Sequence, residues 1–264
     1  MNRPIGVFDS GVGGLTVVKE LIRQLPREDI VYFGDTARVP YGIKSRETVI
    51  RFSIENILFL LKHDVKLICV ACNTVSSFAL PEIKNHFRVP IVGVISPGAK
   101  EAVYATRNKR VGVIGTKGTI KSRAYEQEIK LLDQQVKVTA VACPLFVPFA
   151  EEGWVSGEVV DTVARHYLNP LKESGVDTVI LGCTHYPLLK PAIKAVMGKS
   201  VTLIDSAKQV AIEVNNILAD NNLLSKNGKG KRNYFVSDNP EWFGSLARRF
   251  IGGKLDNVKK VNNV

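Results

Sequence analysis

Nine short runs in this chain are almost continuous in aliphatic and aromatic residues: Ile5–Phe8, Ile30–Phe33, Leu67–Ala71, Ile91–Val94, Val111–Ile114, Val136–Val141, Thr178–Leu181, Val201–Ile204 and Tyr234–Val236. A strand with one wet face alternates apolar and polar residues. Runs like these belong instead to strands buried on both faces, as in parallel sheets. Between them lie longer segments with apolar residues at helical spacing: 15–24, 47–62, 101–106, 125–132, 158–171 and 207–218. Strand and helix in alternation predict parallel sheets wrapped by helices, an α/β fold.

The pattern repeats. L-I-C-V-A-C-N-T ends at Thr74 and T-V-I-L-G-C-T-H ends at His185, which places Cys72 and Cys183 111 residues apart. G-V-F-D-S-G from Gly6 resembles G-V-I-G-T-K from Gly112, and V-G-V-I-S from Val92 resembles V-T-L-I-D from Val201, at offsets of 106 and 109. Three pairs at nearly one offset predict two pseudo-symmetric parallel-sheet α/β domains facing one cleft. The expected division is residues 1–97 for the first domain and 98–206 for the second, with 207–264 returning to pack on the first. A chain of 264 residues can fill two such cores without disulfides or metals.

The formal charge of +11 raises the question of nucleic acid. Nine Lys or Arg against three acids between Lys226 and Val264 make that segment +6, over half of the total. No helix-turn-helix, zinc finger or aromatic RNA-binding motif accompanies it, so the basic end reads as surface charge away from every motif, and nucleic acid is the lesser expectation. The apolar runs fall far short of the roughly 20 residues of a membrane helix. The N-terminus shows no signal-peptide pattern, and the expected location is the cytoplasm.

Four cysteines are too few for a disulfide framework. Cys69 and Cys143 read as small buried apolar residues. Cys69 and Cys72 form a C-x-x-C, but Cys69 lies inside a strand and should face the opposite side of the sheet, unlike a redox pair. Cys72, Cys183 and His185 could supply three zinc ligands, yet no second closely spaced Cys/His pair accompanies them.

Cys72 and Cys183 both end apolar runs, where ligands bind in parallel α/β sheets. Each is expected to precede a helix, 75–87 and 187–197, whose positive end would favour the thiolate. Two thiols facing each other suit proton transfer on opposite faces of one carbon, because a thiol can act as acid or as base. That chemistry inverts a stereocentre.

Other polar residues gather at expected strand ends. In F-D-S-G-V-G-G, Asp9 and Ser10 stand at a strand tip. Gly11, Gly13 and Gly14 would allow close backbone approach to a small ligand, since neither dinucleotide nor P-loop spacing is present. Tyr41 and Gly42 can offer backbone N–H groups to a carboxylate, and Asp35 is as readily a turn residue as a functional one. His185 follows the second thiol and can orient or protonate. His63, His86 and His166 read as structural. Glu151 and Glu152 follow an apolar run, and either could reach the site.

Taken together, G-V-F-D-S-G-V-G-G, D-T-A-R-V-P-Y-G, C-N-T and G-C-T-H-Y-P resemble the glutamate racemase family, in order from Ile5 to about Asp205. The resemblance implies cofactor-independent interconversion of L- and D-glutamate, with no metal, feeding peptidoglycan synthesis in a bacterium. It implies that Cys72 takes the α-proton of D-glutamate and Cys183 that of L-glutamate. Asp9, Ser10, Pro40, Tyr41, Gly42, Asn73, Thr74, Thr184 and His185 fall in its substrate-binding motifs. Asp9, Glu151 and His185 match groups that assist the thiols, and homodimers are usual in the family. An aspartate racemase is the near alternative; a one-cysteine decarboxylase would need only one of the two thiols.

Overall fold

The structure is a computed structural model that describes residues 3–226, 228–255 and 257–261. Residues 1–2 and 262–264, at the outer ends of the expected first domain, and Asp256 of the basic segment lie outside the described residues. Among the described residues, ten strands form two all-parallel sheets. They are β1 (Ile5–Asp9), β2 (Ile30–Gly34), β3 (Leu67–Val70), β4 (Ile91–Gly93), β5 (Arg110–Gly115), β6 (Lys137–Ala142), β7 (Thr178–Gly182), β8 (Thr202–Ile204), β9 (Arg232–Val236) and β10 (Val258–Lys260). The first sheet has the order β10-β9-β2-β1-β3-β4 and the second β6-β5-β7-β8.

The sequence repeat is visible in these orders. The run β2-β1-β3-β4 in one sheet has the same arrangement as β6-β5-β7-β8 in the other. β1, β2, β3 and β7 are buried along their whole length, as their unbroken apolar sequence requires. Separate apolar cores cover the two faces of the first sheet. Cys69 belongs to one and Cys72 to the other, so the C-x-x-C does not form a pair.

All nine expected strands are present. β10 escaped the sequence reading because V-K-K is short and leaves both lysines exposed at a sheet edge. The expected helix 75–87 is instead three pieces, Asn73–Phe78, Leu80–Ile83 and a 3-10 turn Lys84–His86. The break falls at Ala79, because Pro81 cannot donate to the preceding turn and is tolerated only in the first turn of a new helix. The expected helix 187–197 starts as a 3-10 turn, Tyr186–Leu189, and becomes α-helical only at Lys190–Met197, with Pro187 and Pro191 each removing a donor. The expected helix 101–106 runs from Ile95 to Ala105, because Pro97 falls in its first turn, where a missing N–H costs nothing. The expected domain boundary at residue 97 therefore falls inside a helix.

The basic segment also needs correction. It is not a tail away from the motifs: β9 and β10 extend the first sheet, and the helix Pro240–Ile251 buries Phe243, Leu246, Ala247 and Phe250 against the core. A buried ion pair anchors its start. Lys66 Nζ lies 2.5 Å from Glu28 Oε2 and donates to the Leu223 carbonyl at 2.6 Å, while Glu28 accepts from the Ser225 N–H and hydroxyl, both at 2.7 Å. Removing one partner strands a buried charge. Lys66→Met should lower the unfolding free energy by roughly 3–5 kcal/mol, as read from denaturant unfolding; an unchanged midpoint would show that the pair adds nothing.

Candidate active site

The carboxyl ends of β1, β3, β5 and β7 converge on one cavity of about 240 Å³. That is below the roughly 300–1,000 Å³ of sites for drug-sized ligands, so it suits a small metabolite. Ser10 follows β1, Cys72 closes the connection after β3, Thr116 follows β5 and Cys183 follows β7, and all four line the cavity. Both sheets thus contribute a thiol and a hydroxyl. Lys and Arg are absent from its described lining; Glu151, His185 and Tyr41 are its chargeable residues besides the thiols.

Cys72 is 6% exposed and its Sγ lies 3.6 Å from Ser10 Oγ. Burial and then the neighbouring Asp9 push this thiol up to about 12, against the backbone N–H of Val75 and the Ser10 hydroxyl. The expectation of a helix-stabilised thiolate fails here. The helix it caps has only six residues, and desolvation of the anion outweighs its N–H groups. Burial therefore favours the thiol form of Cys72. Asp9 beneath it is fully buried; its Oδ2 accepts from the Gly11 N–H at 3.0 Å and its Oδ1 has no partner. Burial raises the Asp9 carboxyl, while His185 and the backbone amides act the other way.

Cys183 is set differently. Its Sγ lies 3.8 Å from His185 Nδ1, and His185 Nε2 lies 2.9 Å from Glu151 Oε1. Burial lowers His185, but its contacts with Cys183 and Glu151 prevail and raise it to about 10. The contacts thus couple positive charge on the imidazole to negative charge on the second sulfur and on Glu151. Glu151, not Glu152, reaches the site; Glu152 is exposed on the far side of the helix Phe146–Glu152.

The remaining expected residues are brought together, with different parts facing the cavity. Pro40, Tyr41 and Gly42 line it, but the Tyr41 hydroxyl is turned away, donating to buried Asp35 and accepting from Asn56 Nδ2 at 3.3 Å. Asp35 is thus a buried anchor for this loop, which also binds Arg38 at 2.6 Å and accepts from Ser237 at 2.9 Å. Asn73 Oδ1 accepts from the Tyr125 hydroxyl at 2.8 Å, which leaves its amide nitrogen as the free donor. Thr74 and Thr116 hydroxyls meet at 3.0 Å across the two sheets' units, and Thr184 lies beside His185.

Two glycine readings change. Gly11 lines the cavity, but Gly13 and Gly14 make room for protein rather than ligand. A Cβ on Gly14 would fall 2.5 Å from the Asp9 Cβ, and one on Gly13 would strike Thr184 and His185. The sequence reading missed Thr116. The repeat offset of 106 residues, which carries Gly6 onto Gly112, also carries Ser10 onto Thr116 and was a usable signal. His63 packs edge-on against Phe59 and at a tilt against Phe235, a structural role. Among the described residues no group of three His, Cys, Asp or Glu is placed to hold a metal ion.

The family model described as Asp/Glu/hydantoin racemase matches residues 5–213. The chain belongs to this racemase family. It is 54% identical to the glutamate racemase of Geobacter metallireducens over 261 residues, covering 98% of this chain and 97% of that protein. The crystal structure of a glutamate racemase isoform from Bacillus anthracis superposes with a TM-score of 0.95 at 42% identity, covering 98% of this chain and 97% of that one. A Francisella tularensis glutamate racemase solved in complex with D-glutamate gives 0.93 at 40% identity, covering 99% and 98%. These racemase structures share the two-sheet α/β architecture.

Proposed function

We propose that this protein is a glutamate racemase that works without a cofactor, using Cys183 and Cys72 as the two proton carriers. The observation that carries the reading is the pair of thiols, brought from matching strand ends of the two sheets to one small cavity. In the L-to-D direction the Cys183 thiolate takes the α-proton and becomes a thiol. The electron pair left on the α-carbon is shared with the adjoining carboxylate. Cys72, a thiol because of its burial, gives its proton to the opposite face and becomes the thiolate. The reverse direction runs the same steps backwards. His185, held by Glu151, faces the charge at Cys183, and on the other side the buried Asp9 is near enough to Cys72 to disfavour its thiolate.

Substrate carboxylates find hydroxyls and an amide rather than cations: Ser10, Thr74, Thr116, Thr184 and the free Asn73 donor. Such fixed donors can hold the developing charge at the α-carboxylate without reorganising. Arg38, the one cation in the motifs, is engaged by Asp35, Glu55 and Asn56 and does not line the cavity. We further propose two domains, 1–97 with 207–264 and 98–206, working as a homodimer in the bacterial cytoplasm, where D-glutamate enters peptidoglycan precursors.

Incubation with L-glutamate in D2O, followed by circular dichroism and by the α-proton NMR signal, tests the reading. The expected result is decay of ellipticity to zero with deuterium entering at the α-carbon. No racemisation in reducing buffer would refute it, and faster turnover of aspartate in a parallel sample would favour the aspartate alternative.

A further inference from the structure

The helix Pro240–Ile251 belongs to the basic segment that the motifs leave unused, and its last turn touches the second half of the site. Arg249 Nη1 donates to the backbone carbonyl of Glu151, whose side chain pairs with His185. That carbonyl lies in the last turn of the helix Phe146–Glu152, where C=O groups lack an intrahelical partner. The helix ends on Gly153 with φ 77°, and the guanidinium lies flat against it: a Cβ there would fall 2.9 Å from Arg249 Cζ. A cation is favourable at a helix C-terminus. The next residue, Phe250, is buried and sets its ring at 82° to the His185 ring with centroids 5.2 Å apart. One helix turn attached to the first sheet therefore holds both members of the Glu151–His185 pair, which are carried by the second.

We propose that Arg249 is a positioning residue: it fixes the end of the helix Phe146–Glu152 so that Glu151 meets His185, and so couples the C-terminal helix to the proton carrier Cys183. The inference rests on the racemase reading for its catalytic consequence, but the geometry can be tested without it. The titratable groups facing His185 are Cys183 on its own strand end, Glu151 and Asp9 across the cleft, while the Arg249 guanidinium reaches the ring through the Glu151 backbone carbonyl. Loss of the Arg249 charge alone would raise the His185 titration, because a nearby cation disfavours imidazolium. Loss of the Glu151 contact would lower it. The two explanations carry opposite signs.

The test is Arg249→Met, with Arg249→Lys as the conservative variant and Arg248→Met as a control for charge on the same turn. NMR titration of the His185 imidazole, assigned by a His185→Gln variant, should show a midpoint near 10 in the parent protein. It should fall by a unit or more in Arg249→Met, recover in part in Arg249→Lys and stay put in Arg248→Met. Racemisation by Arg249→Met should lose roughly 10- to 100-fold in kcat with KM little changed, the scale of misplacing a catalytic group by up to about 1 Å. An unchanged or raised midpoint overturns the proposal, and so does parental kcat in Arg249→Met. If the parent protein does not racemise glutamate, the functional reading fails, and the titration still decides this one.

Discussion

Cys72→Ala and Cys183→Ala each lower glutamate racemisation by roughly 10²- to 10⁴-fold or more, the range expected for removing a positioned proton carrier. The expected loss is equally severe in both variants, although the two sulfurs sit in unlike surroundings. Inversion needs a donor on one face and an acceptor on the other, and no other group among the described cavity residues occupies either thiol's place. Their surroundings predict how the residual chemistry differs. With Cys72 gone, Cys183 still has His185 3.8 Å from its sulfur. Any remaining α-proton exchange in D2O should then be confined to L-glutamate. With Cys183 gone, exchange should be confined to D-glutamate and be slower at neutral pH, because burial pushes the Cys72 thiol up to about 12. Cys69→Ala serves as the control. It removes a sulfur from the same C-x-x-C but from the opposite face of the sheet, and racemisation should persist. Racemisation surviving in either Cys72→Ala or Cys183→Ala would exclude the two-thiol mechanism.

β1, β2, β3 and β7 were legible because burial on both faces leaves a one-dimensional signature, an unbroken apolar run bounded by turn residues. The pairing of Cys72 with Cys183 was legible because two halves with the same strand order repeat at nearly fixed spacing. What stayed hidden depends on contacts between distant segments. Burial, not the helix start, governs Cys72, and nothing in C-N-T reveals that. Glu151 and Glu152 are adjacent in sequence, and only the pitch of a seven-residue helix turns one of them inward. Tyr41 lies in a site motif, yet its hydroxyl serves Asp35 while its backbone borders the cavity. Arg249 looked like one cation of a basic tail, because its partner is a carbonyl 98 residues away and carbonyls have no sequence signature.

Gly13→Ala should cost racemisation heavily for a single added methyl group. The sequence suggests a glycine loop open to ligand, for which alanine would merely narrow the cavity. The structure places Gly13 where the two halves touch: its added Cβ would lie 2.2 Å from Thr184 Oγ1 and 2.6 Å from His185 Nδ1. Neither neighbour yields freely. Thr184 and His185 are both buried, and His185 is further held by Glu151 and by the Phe250 ring. The two halves must part or the imidazole must leave its place beside Cys183. Overpacking of this kind costs about 1–3 kcal/mol of stability, and a shift of the imidazole by about 1 Å can cost around 100-fold in rate. The expected variant therefore folds, unfolds at a somewhat lower temperature and loses racemisation by about two orders of magnitude. Gly244→Ala provides the contrast. That glycine lies within the helix Pro240–Ile251 with nothing within 4 Å of an added Cβ. It should gain roughly 0.5–1 kcal/mol from reduced freedom of the unfolded chain and a better helix former, with racemisation unchanged. Equal rates in Gly13→Ala and the parent protein would mean that the contact between the halves at Gly13 does not position His185.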